Sequence, residues 1–287
     1  MSALNNEAKQ QASEHLGQFS QYPTRYSPDV LVSIKRQPLR EGLKASAAGI
    51  DRWTAYELSW LSPSGAPMMA VAEFDIDAHS PCLIESKSLK LYLNGFNHEV
   101  VASLMALHAM LVRDLSACVE YPVTVRLYPL HEFKPLAISG YTCIDNEATH
   151  CQVYQPDASL LSPVSSSRQT DSCIYHKQRW CSHVFRSLCP VTAQPDWASV
   201  FIDIEASHIN SEQLLQYLAS FRQHQGFHEQ CVERIYHDIW QQLKPKALTV
   251  FARFMRRGGL DINPYRSSDP KFHQAPACAS LTSVIRQ

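Results

Sequence analysis

The chain has 287 residues, 45% of them apolar, which is enough to bury one large core or two of ordinary size. Lys and Arg together number 26 against 27 Asp and Glu, a balance that argues against a surface built to hold a phosphate backbone, so no nucleic-acid partner is expected. No run of about 18 apolar residues occurs, and the N-terminus "MSALNNEAKQQASEHLGQFSQYP" lacks the apolar stretch of a secretion signal. A soluble, cytoplasmic protein without a membrane segment is the expectation.

In chain order, the first 30 or so residues are polar and peripheral, with one loose helix at most. "RWTAYELSWL" (52–61) and "MMAVAEFDID" (68–77) read as strands around the Pro-Ser-Gly turn at 63–65. "SLKLYLNGF" (88–96) alternates Leu89, Leu91 and Leu93 with polar residues, the period of a half-buried strand. From Asn97, a possible N-cap, to about Cys118, apolar residues recur at three and four and predict a long amphipathic helix. "VTVRLYPL" (123–130) returns to strand alternation. The Ser-rich stretch "DASLLSPVSSSRQTDS" (157–172) has no sustained period and divides the chain into modules at 1–156 and 173–287.

The second half repeats the plan. "SVFIDIE" (199–205) alternates as a strand, helices follow at about 211–222 and 227–243, and "ALTVFARFMRRGG" (247–259) is a strand ending in Gly258 and Gly259. Strands, helix and strand without strict β-α-β alternation predict an α+β fold, with antiparallel sheet and helices gathered on one face. The repeated order suggests a duplication.

Nine cysteines, with no CxxC pair, fit neither a disulfide framework nor a zinc knuckle. The thirteen histidines offer no HExxH spacing, so no metal is expected.

Four stretches carry candidate chemistry, each with an ordinary reading beside it. In "SLCPVTAQPDW" (187–197), Pro190 and Pro195 stiffen what reads as a loop. Cys189 is there either a buried thiol or a nucleophile, and Asp196 a turn residue or its proton donor. In "GFHEQCVERIYHD" (226–238), His228 and Glu229 open a helix, as solvated first-turn residues or as a pair reaching a guanine-like edge. "IESKSLKLYLNGF" (84–96) carries Glu85, Ser86, Lys87, Ser88 and Lys90, an exposed strand edge or a grip on a phosphorylated cofactor. "RRGGLDINPYRS" (256–267) places Arg256 and Arg257 before a glycine pair, a plain turn or an approach for a phosphate or ribose. GxGxxG and GxxxxGK[ST] are both absent, so a nucleotide must be held by another device. His183, close upstream of Cys189, is a further candidate assistant.

Taken together, "IESKSLKLYLNGF", "LCPVTAQPDWAS", "FHEQCVERIYHDI" and "RRGGLDINPYRS" resemble the NADPH-dependent 7-cyano-7-deazaguanine reductases of the QueF family, in its long two-module form. The likeness runs from about residue 50 to 267. It implies two tandem tunnelling-fold (T-fold) modules, usually as a homodimer, acting on a small-molecule nitrile with NADPH as cofactor. By that resemblance Cys189 matches the nucleophile and Asp196 the proton donor. Ile84, Glu85, Ser86, His228 and Glu229 match the substrate pocket, and Ser86, Lys87, Arg257 and Gly258 the cofactor contacts. The implied reaction passes through a thioimidate on Cys189 and makes 7-aminomethyl-7-deazaguanine, the queuosine precursor later placed in transfer RNA. Two other readings stay open: a zinc-dependent hydrolase of the related cyclohydrolase type, and a non-catalytic binder of deazapurines or pterins.

Overall fold

The computed structural model describes residues 23–43, 47–134, 136–147, 150–161, 174–207, 210–271, 282–284 and 287. The expected N-terminal helix and most of the Ser-rich connection fall outside these residues. The described residues form two compact units. One is drawn from Met1–Glu41, Ile50–Pro135 and Arg256–Ile262, the other from Gly42–Gly49, Leu136–Met255 and Asn263–Gln287. The turn at 256–259, late in the sequence, thus packs with the early strands.

In the first unit, β1 (Ser33–Lys35) pairs antiparallel with β4 (Cys82–Ile84). Strands β2 (Ala48–Leu61), β3 (Pro67–Asp77) and β5 (Val123–Pro129) form an antiparallel sheet in the order β5-β3-β2. Cross-strand charges follow the register. Arg52 faces Asp75 and Glu73 faces Arg126, and Asp75 accepts from Arg52 Nε at 2.7 Å and Arg126 Nη2 at 2.7 Å. Burial pushes the Asp75 carboxyl up, but the hydrogen bond and charge of Arg52, joined by Arg126, hold it below the ordinary carboxylate range.

Helix α1 (Ser86–Asn94) corrects the strand expected at 88–96. The alternation of Leu89, Leu91 and Leu93 fits either period over so short a run. What decides is that Leu89, Tyr92, Leu93 and Phe96, spaced at three and four, are the buried set. Glu85 starts the helix, its carboxylate accepting from Lys87 N at 2.9 Å and Ser88 N at 2.7 Å. Helix α2 (Leu104–Val119) begins later than the expected Asn97. Its cap is Ser103, which accepts from Ala106 N at 3.1 Å, and residues 95–98 are a 3₁₀ turn.

The second unit has β6 (Leu136–Ala137), β7 (Thr142–Cys143), β8 (His176–Leu188), β9 (Pro195–Ala206), helices α3 (Ser211–Ala219) and α4 (His228–Leu243), then β10 (Ala247–Phe254), β11 (Leu260–Ser267) and β12 (Thr282–Ser283). The sheet order is β11-β10-β9-β8-β7, antiparallel except for the parallel pair β7 and β8. Ala198, Val200, Ile202 and Ile204 of β9 point into one core with Leu214, Leu218, Val232, Ile235 and Ile239, so both helices cover the same face. Phe201 lies on the other face, stacked on Phe251 at 4.8 Å.

Strand–strand–helix–helix–strand occurs in each unit, and particular side chains repeat with it. Tyr92 Oη donates to Asp114 at 2.7 Å, as Tyr217 Oη does to Asp238 at 2.8 Å. Each tyrosine meets a phenylalanine four residues on edge-to-face, Phe96 at 5.3 Å and Phe221 at 5.5 Å. The second helix ends in a left-handed residue both times, Glu120 (φ 56°) and Lys244 (φ 45°). Each leading hairpin carries one irregularity, between Ala55 and Leu58 and between Ser182 and Phe185. The duplication suggested by element order therefore extends to residues. Among the described residues, no helix is long and apolar enough to cross a membrane.

Candidate functional site

Strands β8 and β9 are joined by a tight loop with Cys189 at its first position. Ser187 pairs with Asp196 and Leu188 with Pro195, and Cys189 N continues the ladder by donating to Gln194 O at 2.9 Å. Ala193 closes the turn with φ 55°, its N–H donating to Cys189 O at 3.0 Å. Only residues 189–194 are therefore loop. Asp196, expected there, is a buried strand residue at 2% exposure, because a proline can begin a strand without losing a needed donor. Directly opposed residues share a face, as do residues two apart, so Ser187, Cys189 and Asp196 look to one side of the hairpin.

A short parallel ladder brings the start of α4 to the same place. Leu188 N donates to His224 O at 2.8 Å, and Gly226 N donates to Leu188 O at 3.1 Å. His228 and Glu229 follow at once in the first turn. The His228 ring stacks flat on Phe254, with centroids 3.8 Å apart and planes 1° from parallel. Its Nε2 lies 3.4 Å from Asp196 Oδ2, an ion-pair separation. Its Nδ1 is buried with no hydrogen-bond partner among the described residues, an unsatisfied polar atom of the kind a bound ligand completes. Glu229 is 3% exposed. One turn on, Cys231 is fully buried, and burial pushes its thiol up to about 12, with the Asp196 and Glu229 carboxylates adding to the shift. The Asp196 and Glu229 carboxylates are thus close enough to Cys231 for their charges to act on it.

The other two motifs meet in the first unit. Arg257 N donates to Leu260 O at 2.8 Å around Gly258 (φ 59°) and Gly259 (φ 77°), a two-residue hairpin turn whose positive angles favour glycine. The Lys90 side chain of α1 lies over Gly258, where an added Cβ would come within 3.2 Å of Lys90 Cε. Arg256 sits 3.3 Å above the Tyr56 ring, and Tyr56 Oη donates to Asp261 at 2.6 Å. Burial and then the Asp261 charge push the Tyr56 hydroxyl up, so it stays a donor.

Ile84 ends β4 and is buried. Ser86 and Lys87 form the first turn of α1. The Glu85 carboxylate is engaged in capping, while the Ser88 hydroxyl donates to Glu85 O at 2.7 Å and accepts from Val32 N at 3.0 Å. Sequence reasoning missed Phe254, Ser187 and Tyr56, since nothing in a strand's alternation says which aromatic will meet an imidazole. His183 belongs elsewhere: its Nδ1 pairs with Ser199 Oγ at 2.8 Å and its Nε2 lies 3.8 Å from Cys181 Sγ.

In the first unit the place equivalent to the Cys189 loop is a pocket of about 230 Å³. Leu61 bridges to Val100 as Leu188 does to Gln225. By that correspondence Ser62 stands for Cys189, Met68 for Asp196 and Leu104 for Glu229, so this copy has the shape without the chemistry.

A half-buried thiol at the end of a strand, beside a buried carboxylate–imidazole pair on an α+β duplication, is what the geometry brings together. Two family models match the chain: "Nitrile reductase, 7-cyano-7-deazaguanine-reductase N-term" over residues 22–127 and "QueF-like protein" over 195–272. The chain is 44% identical over 262 residues to an NADPH-dependent 7-cyano-7-deazaguanine reductase of Saccharophagus degradans, covering 90% of this chain and 95% of that one. A solved structure, the archaeosine synthase QueF-Like in the apo form, matches at 16% identity and a TM-score of 0.28, over 33% of this chain and 91% of that one. The chain belongs to the QueF family of nitrile reductases.

Proposed function

We propose that this protein reduces the nitrile of 7-cyano-7-deazaguanine to the aminomethyl group with NADPH, through a covalent adduct on Cys189. The observation that carries the reading is the convergence of Cys189, Asp196, His228 and Glu229 through one hairpin and one tethered helix start, in a chain 44% identical to a reductase of that name.

A nitrile carbon resists direct hydride attack, and adding a thiol across it gives a more reactive C=N. Cys189 sulfur bonds to the carbon while Asp196, on the same face, delivers a proton to nitrogen. Asp196 suits the donor role by position, since it shares a face with Cys189 across the hairpin. His228, held flat by Phe254, has Nε2 toward Asp196 and Nδ1 free for the substrate. Glu229, buried in the first turn of α4, accepts from the N–H groups of the deazaguanine edge. Once the thioimidate carbon is reduced, the nitrogen lone pair forms C=N as the C–S bond breaks, so that Cys189 leaves as thiolate and is reprotonated, and the imine accepts the second hydride.

The residues around Gly258 fit NADPH. The glycine pair brings main chain close to a ligand, and Lys90, Lys87 and Arg257 offer cations for phosphate beside the Ser86 hydroxyl. NADPH supplies hydride twice per nitrile. The substrate wall in this unit falls to Ile84 and to what remains of Glu85 and Ser86 after capping. The two units are read as the tunnelling-fold modules of the long family form. Homodimer formation is supported by exposed Met69 (45%), Val100 (57%), Met105 (80%) and Leu130 (51%), of which Met69 lines the chemistry-free pocket and the others adjoin its lining residues Val101, Leu104 and Pro129 in sequence.

The test is NADPH consumption on adding 7-cyano-7-deazaguanine, with the amine counted and Cys189→Ala run in parallel. Two NADPH per amine, none with the variant, is expected. Binding of the base without turnover by the wild type would replace this reading with that of a non-catalytic binder.

A further inference from the structure

We propose that Cys143, Cys181 and His183 form a binding site for a thiophilic divalent cation of the zinc class, separate from the nitrile chemistry and independent of that reading. Parallel pairing of β7 with β8 puts Cys143 directly beside Cys181. His183 lies at the irregularity of β8, and its Nε2 reaches the same spot. The three ligand atoms all lie within 4.8 Å of one another, and Cys181 Sγ is 3.8 Å from His183 Nε2. Bonds of about 2.3 Å to sulfur and about 2.0 Å to nitrogen at a tetrahedral angle put S and N about 3.5 Å apart, close to the separation of Cys181 Sγ and His183 Nε2.

The surroundings hold these ligands as a built site requires. Ser199, 1% exposed, pairs with His183 Nδ1 at 2.8 Å and leaves Nε2 as the coordinating atom. Asp145 accepts from Ser182 Oγ at 2.7 Å and from His183 N at 3.0 Å, while Ile144 N donates to Cys181 O at 3.0 Å. The chain after Cys143 is thereby fastened to the strand carrying the other ligands. Two thiolates neutralise a dication, with their protons released to solvent on binding. Cys143 is exposed and Cys181 buried, which gives the ion an entry side. Three protein ligands leave a fourth position for water. The imidazole favours a cation over a disulfide, which would have no use for it.

The experiment titrates reduced, chelator-treated full-length protein with Co²⁺ alone and follows thiolate-to-cobalt charge-transfer absorption. Saturation at one Co²⁺ per chain, reversal by Zn²⁺, and loss of the band in Cys143→Ser and Cys181→Ser are expected. Ser199→Ala should weaken binding by about 10–100-fold. Cys143 is at the surface, so Cys143→Ser keeps the test decisive if Cys181→Ser fails to fold. A band unchanged in Cys143→Ser overturns the proposal, as does reduced protein that takes up no cobalt or closes a Cys143–Cys181 disulfide instead.

Discussion

Gly258→Ala separates the backbone's role at the 256–259 turn from that of the cation resting on it. At φ 59° an alanine pays the left-handed penalty, about 1–2 kcal/mol. Its Cβ would stand 3.2, 3.3 and 3.5 Å from Lys90 Cε, Cδ and Nζ. Those atoms end a flexible side chain, so the ammonium swings away and the turn stays put. Gly42 provides the control, with φ 83° and nothing within 4 Å of an added Cβ. Both variants should lose about 1–2 kcal/mol in urea unfolding. Only Gly258→Ala should raise the KM for NADPH, by about fivefold with kcat nearly constant, since one partly solvated phosphate pair contributes about 1 kcal/mol. Lys90→Met should reproduce the KM change without the stability loss. An unchanged KM in Gly258→Ala, or an equal rise in Gly42→Ala, would refute the assignment of Lys90 to the cofactor.

Phe254→Leu removes the flat support under His228 and should lower kcat roughly tenfold, the kinetic equivalent of an aromatic contact of about 1.5 kcal/mol, with KM for NADPH unmoved. Tyr217→Phe deletes a buried hydrogen bond to Asp238 but leaves Arg234 Nε at 2.8 Å from the same oxygen, so unfolding should become easier by about 1.5 kcal/mol. Alkaline pH tests the tyrosines together. Burial raises Tyr236 to about 12 and holds Tyr217 well above its ordinary value, whereas unfolded tyrosines ionise near about 10. Stability should be complete below that pH and fall as pH climbs toward the folded values, and urea midpoints for Tyr217→Phe should fall less steeply. Met105→Glu should shift sedimentation from dimer to monomer while leaving the circular dichroism spectrum intact.

Much of this molecule is legible in its sequence, and the failures have physical causes. Long strands such as 52–61 and 199–205 declare themselves because core-facing apolar residues recur at every second position, as Trp53 and Ala55, then Leu58 and Trp60 beyond the irregularity, and Val200, Ile202 and Ile204 do. The segment 88–96 misleads because a nine-residue helix with a polar face offers too few turns to separate two periods. The four motifs are visible locally, yet their grouping is not. That Lys90 meets Gly258 depends on which unit claims the 256–259 turn, and Cys143 reaches Cys181 by a parallel pairing across 38 residues. His228 and Glu229 are readable as a helix start, but the stacking surface of Phe254 comes from a strand whose pattern marks it only as core.

The ladder that ties Leu188 to residues 224–226 has a mechanical meaning. Two main-chain hydrogen bonds on either side of one residue act as a clasp between a strand and a helix start. A thermal excursion of the turn after Leu188 must therefore carry the first turn of α4 with it, or break both bonds at once. The relative placement of Cys189 and His228 is thereby carried by main chain, one residue after the clasp and two residues after it, rather than by side-chain packing alone.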